Sequence, residues 1–190
     1  MKDTFKVGST YDCVVNGQIW AFTVVEVDEE NEGNLWITWS TDWSTGITGE
    51  EEDEECHSID DLVKKVEDHK NNVAAGIIYP RGDSEEAQFN GLTELISKPR
   101  YYFGQMEVPR AFVLTDHFSP EGYRPDREYL EFVFDPESSL LRVSSPDPAA
   151  DVPSWVIERF DVSGVTRVKP ETRTEKVVYL LKISQVKSSI

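Results

Sequence analysis

Residues 5–39 read FKVGSTYDCVVNGQIWAFTVVEVDEENEGNLWITW, and the pattern of this stretch decides the architecture of the N-terminal part. Val7, Tyr11, Cys13 and Val15 keep a partial alternation that stops at Asn16-Gly17. Asn-Gly between two apolar runs is the strongest short hairpin signal, because both residues tolerate the positive φ of a type I′ turn. A return strand is expected over Ile19–Val27, a second turn over Asp28–Asn34 and a third strand over Leu35–Trp39. Three such strands make a compact meander, either a curled sheet or the opening of a small barrel. With a period of two, Leu35, Ile37 and Trp39 share one face of the third strand, and Trp36 and Thr38 share the other. Trp36 is therefore expected outside the core.

The third strand leads through Trp43 into six consecutive carboxylates, Glu50, Glu51, Glu52, Asp53, Glu54 and Glu55. Aromatic faces and carboxylates both attract cations, so this stretch is the first candidate binding surface. The run lacks the alternating ligands and the glycine of a calcium loop. A solvating loop and a docking surface for a basic protein are the two readings that remain.

The charge is unevenly spread. The 190 residues carry a formal charge of −17. Residues 1–70 hold 5 Lys+Arg against 18 Asp+Glu, a balance of −13, and residues 71–190 hold 14 against 18, a balance of −4. An acidic N-terminal third steers a basic partner toward that end in a salt-sensitive way. The same charge argues against sequence-independent binding to phosphate backbones, which needs lysine and arginine to neutralise the polyanion. No direct nucleic-acid binding is expected.

The run from Val7 to Trp43 resembles the opening strands of an SH3-like barrel of the Tudor or chromo-barrel kind: a Val-Gly start, a strand ending in a turn and an aromatic-rich third strand followed by Trp. The resemblance covers about a quarter of the chain. It implies an aromatic cage for a methylated lysine or arginine, for which Tyr11, Trp20, Trp36, Trp39 and Trp43 are the aromatics at hand. The acidic run stands where that family places its closing strands.

Beyond the run, Ser58 with Asp61 three residues on reads as a helix cap, followed by Ile59, Leu62, Val63 and Val66 at helical spacing. His69 and Lys70 are placed to meet the negative end of this helix before Asn71 and Asn72 stop it. A second helix is expected over Ser84–Ser97, weakened by Gly91. The remainder reads as strands at Tyr101–Phe103, Arg110–Leu114, Glu128–Phe134, Leu140–Val143, Val165–Val168 and Lys176–Ile183. Asp135–Ser139 makes the turn of a hairpin. Ser154–Phe160 fits a short helix or a strand. The fold class is therefore α+β: a small antiparallel sheet or SH3-like partial barrel, then an α+β unit with a mainly antiparallel sheet and two helices. The division is expected at 1–56 and 57–190.

Three clusters invite chemistry. Cys13, Cys56, His57 and His69 match no closed zinc spacing. Asp116-His117, with Ser119, Tyr123 and Arg124 nearby, could transfer a proton, yet adjacent residues on an extended strand point to opposite faces. Arg100, Arg110, Arg124 and Arg127, interleaved with Tyr101, Tyr102, Tyr123 and Tyr129, could bind an acidic group or pair internally with Glu107, Asp126 and Glu128. No catalytic residue, metal or cofactor is assigned.

Two cysteines cannot build a disulfide framework, no basic-then-apolar leader opens the chain, and no apolar run approaches the ~20 residues of a membrane span. A soluble, cytoplasmic protein without membrane attachment is expected. The function expected is binding: an inhibitor, immunity protein or nucleic-acid-charge mimic that docks on a basic protein. Its contact residues would be Trp36, Trp43 and Glu50 to Glu55. The alternatives are an aromatic-cage reader of basic or methylated peptides and a small enzyme using His117.

Overall fold

The computed structural model describes residues 4–40, 53–82, 84–115, 129–147, 149–168 and 177–186. The chain divides into two compact units, Met1–Ala74 and Ala75–Ile190.

The first unit opens with β1 (Thr10–Val15), β2 (Gln18–Val27) and β3 (Asn34–Ser40), an antiparallel meander. Asn16 and Gly17 both have positive φ, 52° and 68°, as the type I′ turn requires. A fourth strand, β4 (Glu55–Ser58), pairs with β3 and gives the order β1-β2-β3-β4. The outcome is the small antiparallel sheet, and among the described residues no pairing joins β4 to β1.

The registers place Tyr11 opposite Phe22, Cys13 opposite Trp20 and Phe22 opposite Trp39, so these side chains share one face. Directly paired residues always do. Leu35, Ile37, Val24, Phe22 and Cys13 are buried on that face. Leu62 of α1 (Ile59–Ala74) seals them, with Ile59 and Val66 beside it. Helix α1 thus completes the first core, and the compact unit that holds it ends at Ala74. Asp61 N–H donates to Ser58 Oγ at 3.2 Å, the expected cap. The helix runs on past Asn71 and Asn72 to Ala74, so His69 and Lys70 do not form its last turn.

The second unit holds a six-stranded sheet built from β5 (Ile77–Ile78), β8 (Ala111–Thr115), β9 (Tyr129–Asp135), β10 (Leu140–Ser145), β11 (Phe160–Val168) and β12 (Val177–Val186). Its order is β11-β12-β10-β9-β8-β5, antiparallel throughout except for the β5–β8 pair. A separate hairpin joins β6 (Arg100–Phe103) and β7 (Met106–Pro109). Helices α2 (Glu85–Ser97) and α3 (Ser154–Arg159) complete the unit. Ser84 caps α2, accepting from Ala87 N–H at 3.0 Å. The ambiguous Ser154–Phe160 is both things in turn: a helix to Arg159, then a strand from Phe160. Leu92, Leu95, Phe112, Phe132, Leu141, Val143, Val156, Phe160 and Leu181 form the second core. Among the described residues no helix is long and apolar enough to cross a membrane.

Candidate functional site

The acidic run is split by the description. Trp43, Glu50, Glu51 and Glu52 lie outside the described residues, as do Asp116, His117, Arg124 and Arg127. Asp53 and Glu54 stand exposed ahead of β4. Glu55 is the first residue of β4, and its carboxylate is engaged within the first unit. Its Oε2 accepts from Trp39 Nε1–H at 3.0 Å and lies 2.8 Å from His57 Nε2. The His57 ring meets the Trp39 ring edge to face, with centroids 5.4 Å apart.

This small network follows from register. Leu35 pairs with His57 and Ile37 with Glu55, which puts His57 and Glu55 on the face shared by Leu35, Ile37 and Trp39. The hydrogen bond from His57, and then the one from Trp39, hold the Glu55 carboxyl below its ordinary value of 4.5. A depressed folded pKa contributes stability above the unfolded value and loses it as pH falls through the folded one. The Glu55 side chain is 55% exposed, so solvent screens the effect. Glu55→Gln is expected to cost less than ~1 kcal/mol at pH 7 and to flatten the acid limb of stability below about pH 4.5. Urea unfolding followed by tryptophan fluorescence at pH 7 and about pH 3.5 checks both. An acid limb as steep as that of the wild type would show that Glu55 does not contribute to it.

Of the aromatics named for a cage, Trp43 lies outside the described residues; Tyr11, Trp20 and Trp39 share one face of the sheet and Trp36 does not. Tyr11 stacks on Phe22 with centroids 5.5 Å apart and meets Phe5 edge on at 4.9 Å. Trp20 and Trp39 meet edge to face at 6.4 Å on the same side of the sheet. Trp36 lies half-buried on the opposite face, across from Glu26 on one side and Cys56 on the other. It is outside the core, as its place in the alternation requires.

The zinc candidates are dispersed. Cys13 is fully buried, and burial, then the charge of Asp12, pushes its thiol up to about 12. Cys56 is exposed, and its Sγ lies 3.6 Å from Asp28 Oδ2. His69 faces Asp12 at 3.9 Å. Among the described residues no group of three or more His, Cys, Asp and Glu could hold a metal ion. Arg100 and Arg110, the two described arginines of the candidate cluster, pair internally. Arg100 lies 3.7 Å from Glu107 and 3.9 Å from both Asp135 and Glu137, and Arg110 bonds Glu94 at 2.8 Å. Beside Arg100, at the tip of the β6–β7 hairpin, Tyr102, Phe103 and Met106 are the most exposed large apolar side chains among the described residues.

One site escaped the sequence reading. At the end of the first sheet a cleft of about 440 Å³ is lined by Thr4, Phe5, Val27, Asp28, Glu29, Glu32, Leu35 and Ile59. Its apolar lining comes from the N-terminal segment, the end of β2, the start of β3 and the start of α1. Its acidic residues all sit on the β2–β3 turn. The signal available in sequence was the acidic Asp-Glu-Glu-Asn-Glu at 28–32, which reads as an ordinary polar turn until Phe5 and Ile59 are brought beside it. No protein-family model, curated protein or solved structure matches the chain.

Proposed function

We propose that this chain acts by binding rather than catalysis, its N-terminal unit docking on a basic surface of a partner protein. This is the working mode of an inhibitor, an immunity protein or a mimic of nucleic-acid charge. The observation that carries the reading is the display of carboxylates. Glu26, Glu29, Glu30, Glu32, Asp53 and Glu54 are all exposed, while Lys6 is the only lysine or arginine between residues 4 and 40. A one-sign field of this kind raises the encounter rate with a basic protein and repels a phosphate backbone. Trp36, half-buried on the face opposite the core, and Trp43 would supply apolar anchors, and Glu50, Glu51 and Glu52 would extend the charge. Both cysteines are free thiols, in keeping with action in the reducing cytoplasm.

The test neutralises the run without disturbing the Glu55 network. The wild type and a variant carrying Glu50→Gln, Glu51→Gln, Glu52→Gln, Asp53→Asn and Glu54→Gln are immobilised, exposed to native lysate at low salt and eluted with a salt gradient. The expected result is a basic protein held by the wild type, released as salt rises, and bound about tenfold more weakly by the variant. Equal retention by both proteins, or retention that ignores salt, would set the reading aside.

A further inference from the structure

We infer that the cleft at the end of the first sheet is a socket for an arginine side chain of the basic partner. The inference rests on the docking reading above and names its anchor. It starts from the mixed chemistry of the cleft: Phe5, Val27, Leu35 and Ile59 give it an apolar lining, and Asp28 with the exposed Glu29 and Glu32 gives it an acidic rim. An occupant that satisfies both has an apolar stem and a cationic head. Lysine and arginine side chains lay their methylenes along apolar surface while the charge stays at the edge.

The volume suits such an occupant. About 440 Å³ lies within the ~300–1,000 Å³ range of clefts that enclose a ligand group. Arginine fits better than lysine on three counts. Its guanidinium is more weakly hydrated, its planar fork pairs with carboxylates two bonds at a time, and it packs favourably against aromatic rings, of which Phe5 lines the cleft.

The rim is held in place by its own turn. Asp28 N–H donates to Asn34 O at 3.2 Å, Asn34 N–H to Asn31 O at 2.9 Å and Gly33 N–H to Asn31 Oδ1 at 3.1 Å. Glu30 N–H donates to Asp28 Oδ1 at 3.0 Å, fixing the carboxylate nearest the end of β2. Asp28 Oδ2 also accepts from Cys56 Sγ at 3.6 Å; a carboxylate has about four lone-pair sites, so Asp28 can accept further bonds while keeping both. Ordering the rim in advance removes part of the entropy cost of binding.

Other occupants fit less well. Ile59 opens α1, and a helix start attracts anions, but Ser58 Oγ, Asp60 and Asp61 already meet this one. A metal ion needs ligands that converge, which the described carboxylates do not. A wholly apolar ligand would strip water from the rim without compensation. A second copy of the chain would bring its own charge of −17 against the carboxylates.

The test uses the full chain, ¹⁵N-labelled, titrated with Nα-acetyl-arginine methylamide and, separately, with the neutral isostere Nα-acetyl-citrulline methylamide. Amide shifts are expected at Phe5, Val27, Leu35, Ile59 and the β2–β3 turn, with half-saturation near ~1 mM and at least about fivefold weaker binding of the citrulline compound. The variant Asp28→Asn, Glu29→Gln, Glu32→Gln should weaken arginine binding by about fivefold or more, with an otherwise unchanged amide spectrum reporting an intact fold. Shifts centred elsewhere, equal response to citrulline, or wild-type affinity in the variant would overturn the inference. If the cleft fails these tests while the five-carboxylate variant still loses the basic protein, the socket falls and the docking reading stands. If arginine binds the cleft but no basic protein is retained by the wild type, the docking reading falls, and the partner falls with it as the source of the arginine.

Discussion

Replacing Phe22 by alanine is expected to destabilise the first unit by about 3–5 kcal/mol. Phe22 is fully buried at the centre of β2. Its ring lies 5.4 Å from Phe5, 5.5 Å from Tyr11 and 5.9 Å from Trp39, centroid to centroid. Truncation removes the transfer energy of the ring and leaves a cavity among Phe5, Tyr11 and Trp39, which are themselves held by ring contacts with one another or with Trp20 and His57. A unit of 74 residues has a total stability of roughly 4–11 kcal/mol at the usual 0.05–0.15 kcal/mol per residue. The variant therefore stands near the edge of folding. Urea unfolding followed by tryptophan fluorescence should place its midpoint about 2 M or more below that of the wild type. A shift under about 0.5 M would mean that the aromatic cluster is not the core of this unit. Because Phe5 and Leu35 line the cleft as well as this core, Phe22→Ala should also abolish arginine binding there.

The second large effect turns on a conflict between two principles. Gly91 lies in the middle of α2, where alanine is better than glycine by about 1 kcal/mol on helix propensity alone. A Cβ at this position would stand 2.9 Å from Phe112 Cζ and 3.0 Å from Cδ2, and closer still to Cε2. Phe112 cannot swing clear, since it is fully buried and its ring lies 5.6 Å from that of Phe132. Overpacking costs about 1–3 kcal/mol, so the net expectation for Gly91→Ala is a loss of about 1–2 kcal/mol and a melting temperature lower by about 5 °C or more. Phe112→Leu should shrink the penalty of Gly91→Ala in a double-mutant cycle, because the smaller side chain vacates the space the methyl needs. A stabilising Gly91→Ala would refute the close approach of α2 to β8.

Gly91 also shows why some of the fold could be read in sequence and some could not. In sequence it weakens a helix, and only the packing of α2 on Phe112 shows what glycine does there. The strand β4 was missed for a related reason. Glu-Cys-His-Ser has neither alternation nor β-branched residues, and it is a strand because β3 offers it an edge. Helix α1 extended beyond its two asparagines because asparagine is a weak stop when the backbone bonds can continue; it ends at Ala74, two residues ahead of Gly76 with φ 74°.

Local chemistry therefore determined the elements whose cause is local. Asn16-Gly17 set the first hairpin, Ser58 and Ser84 set two helix starts, the alternation of Leu35 to Trp39 put Trp36 on the open face, and composition put the excess charge in the first third of the chain. These depend on φ, on capping and on period, all properties of a few neighbouring residues. Tertiary structure alone decided that α1 belongs to the first unit, that Glu55 is held by Trp39 and His57, and that Phe5, Leu35 and Ile59 line one cleft with the carboxylates of one turn. Each of those depends on residues far apart in sequence arriving at the same place, and the hydrophobic burial that brings them there carries no mark in the local pattern of any one of them.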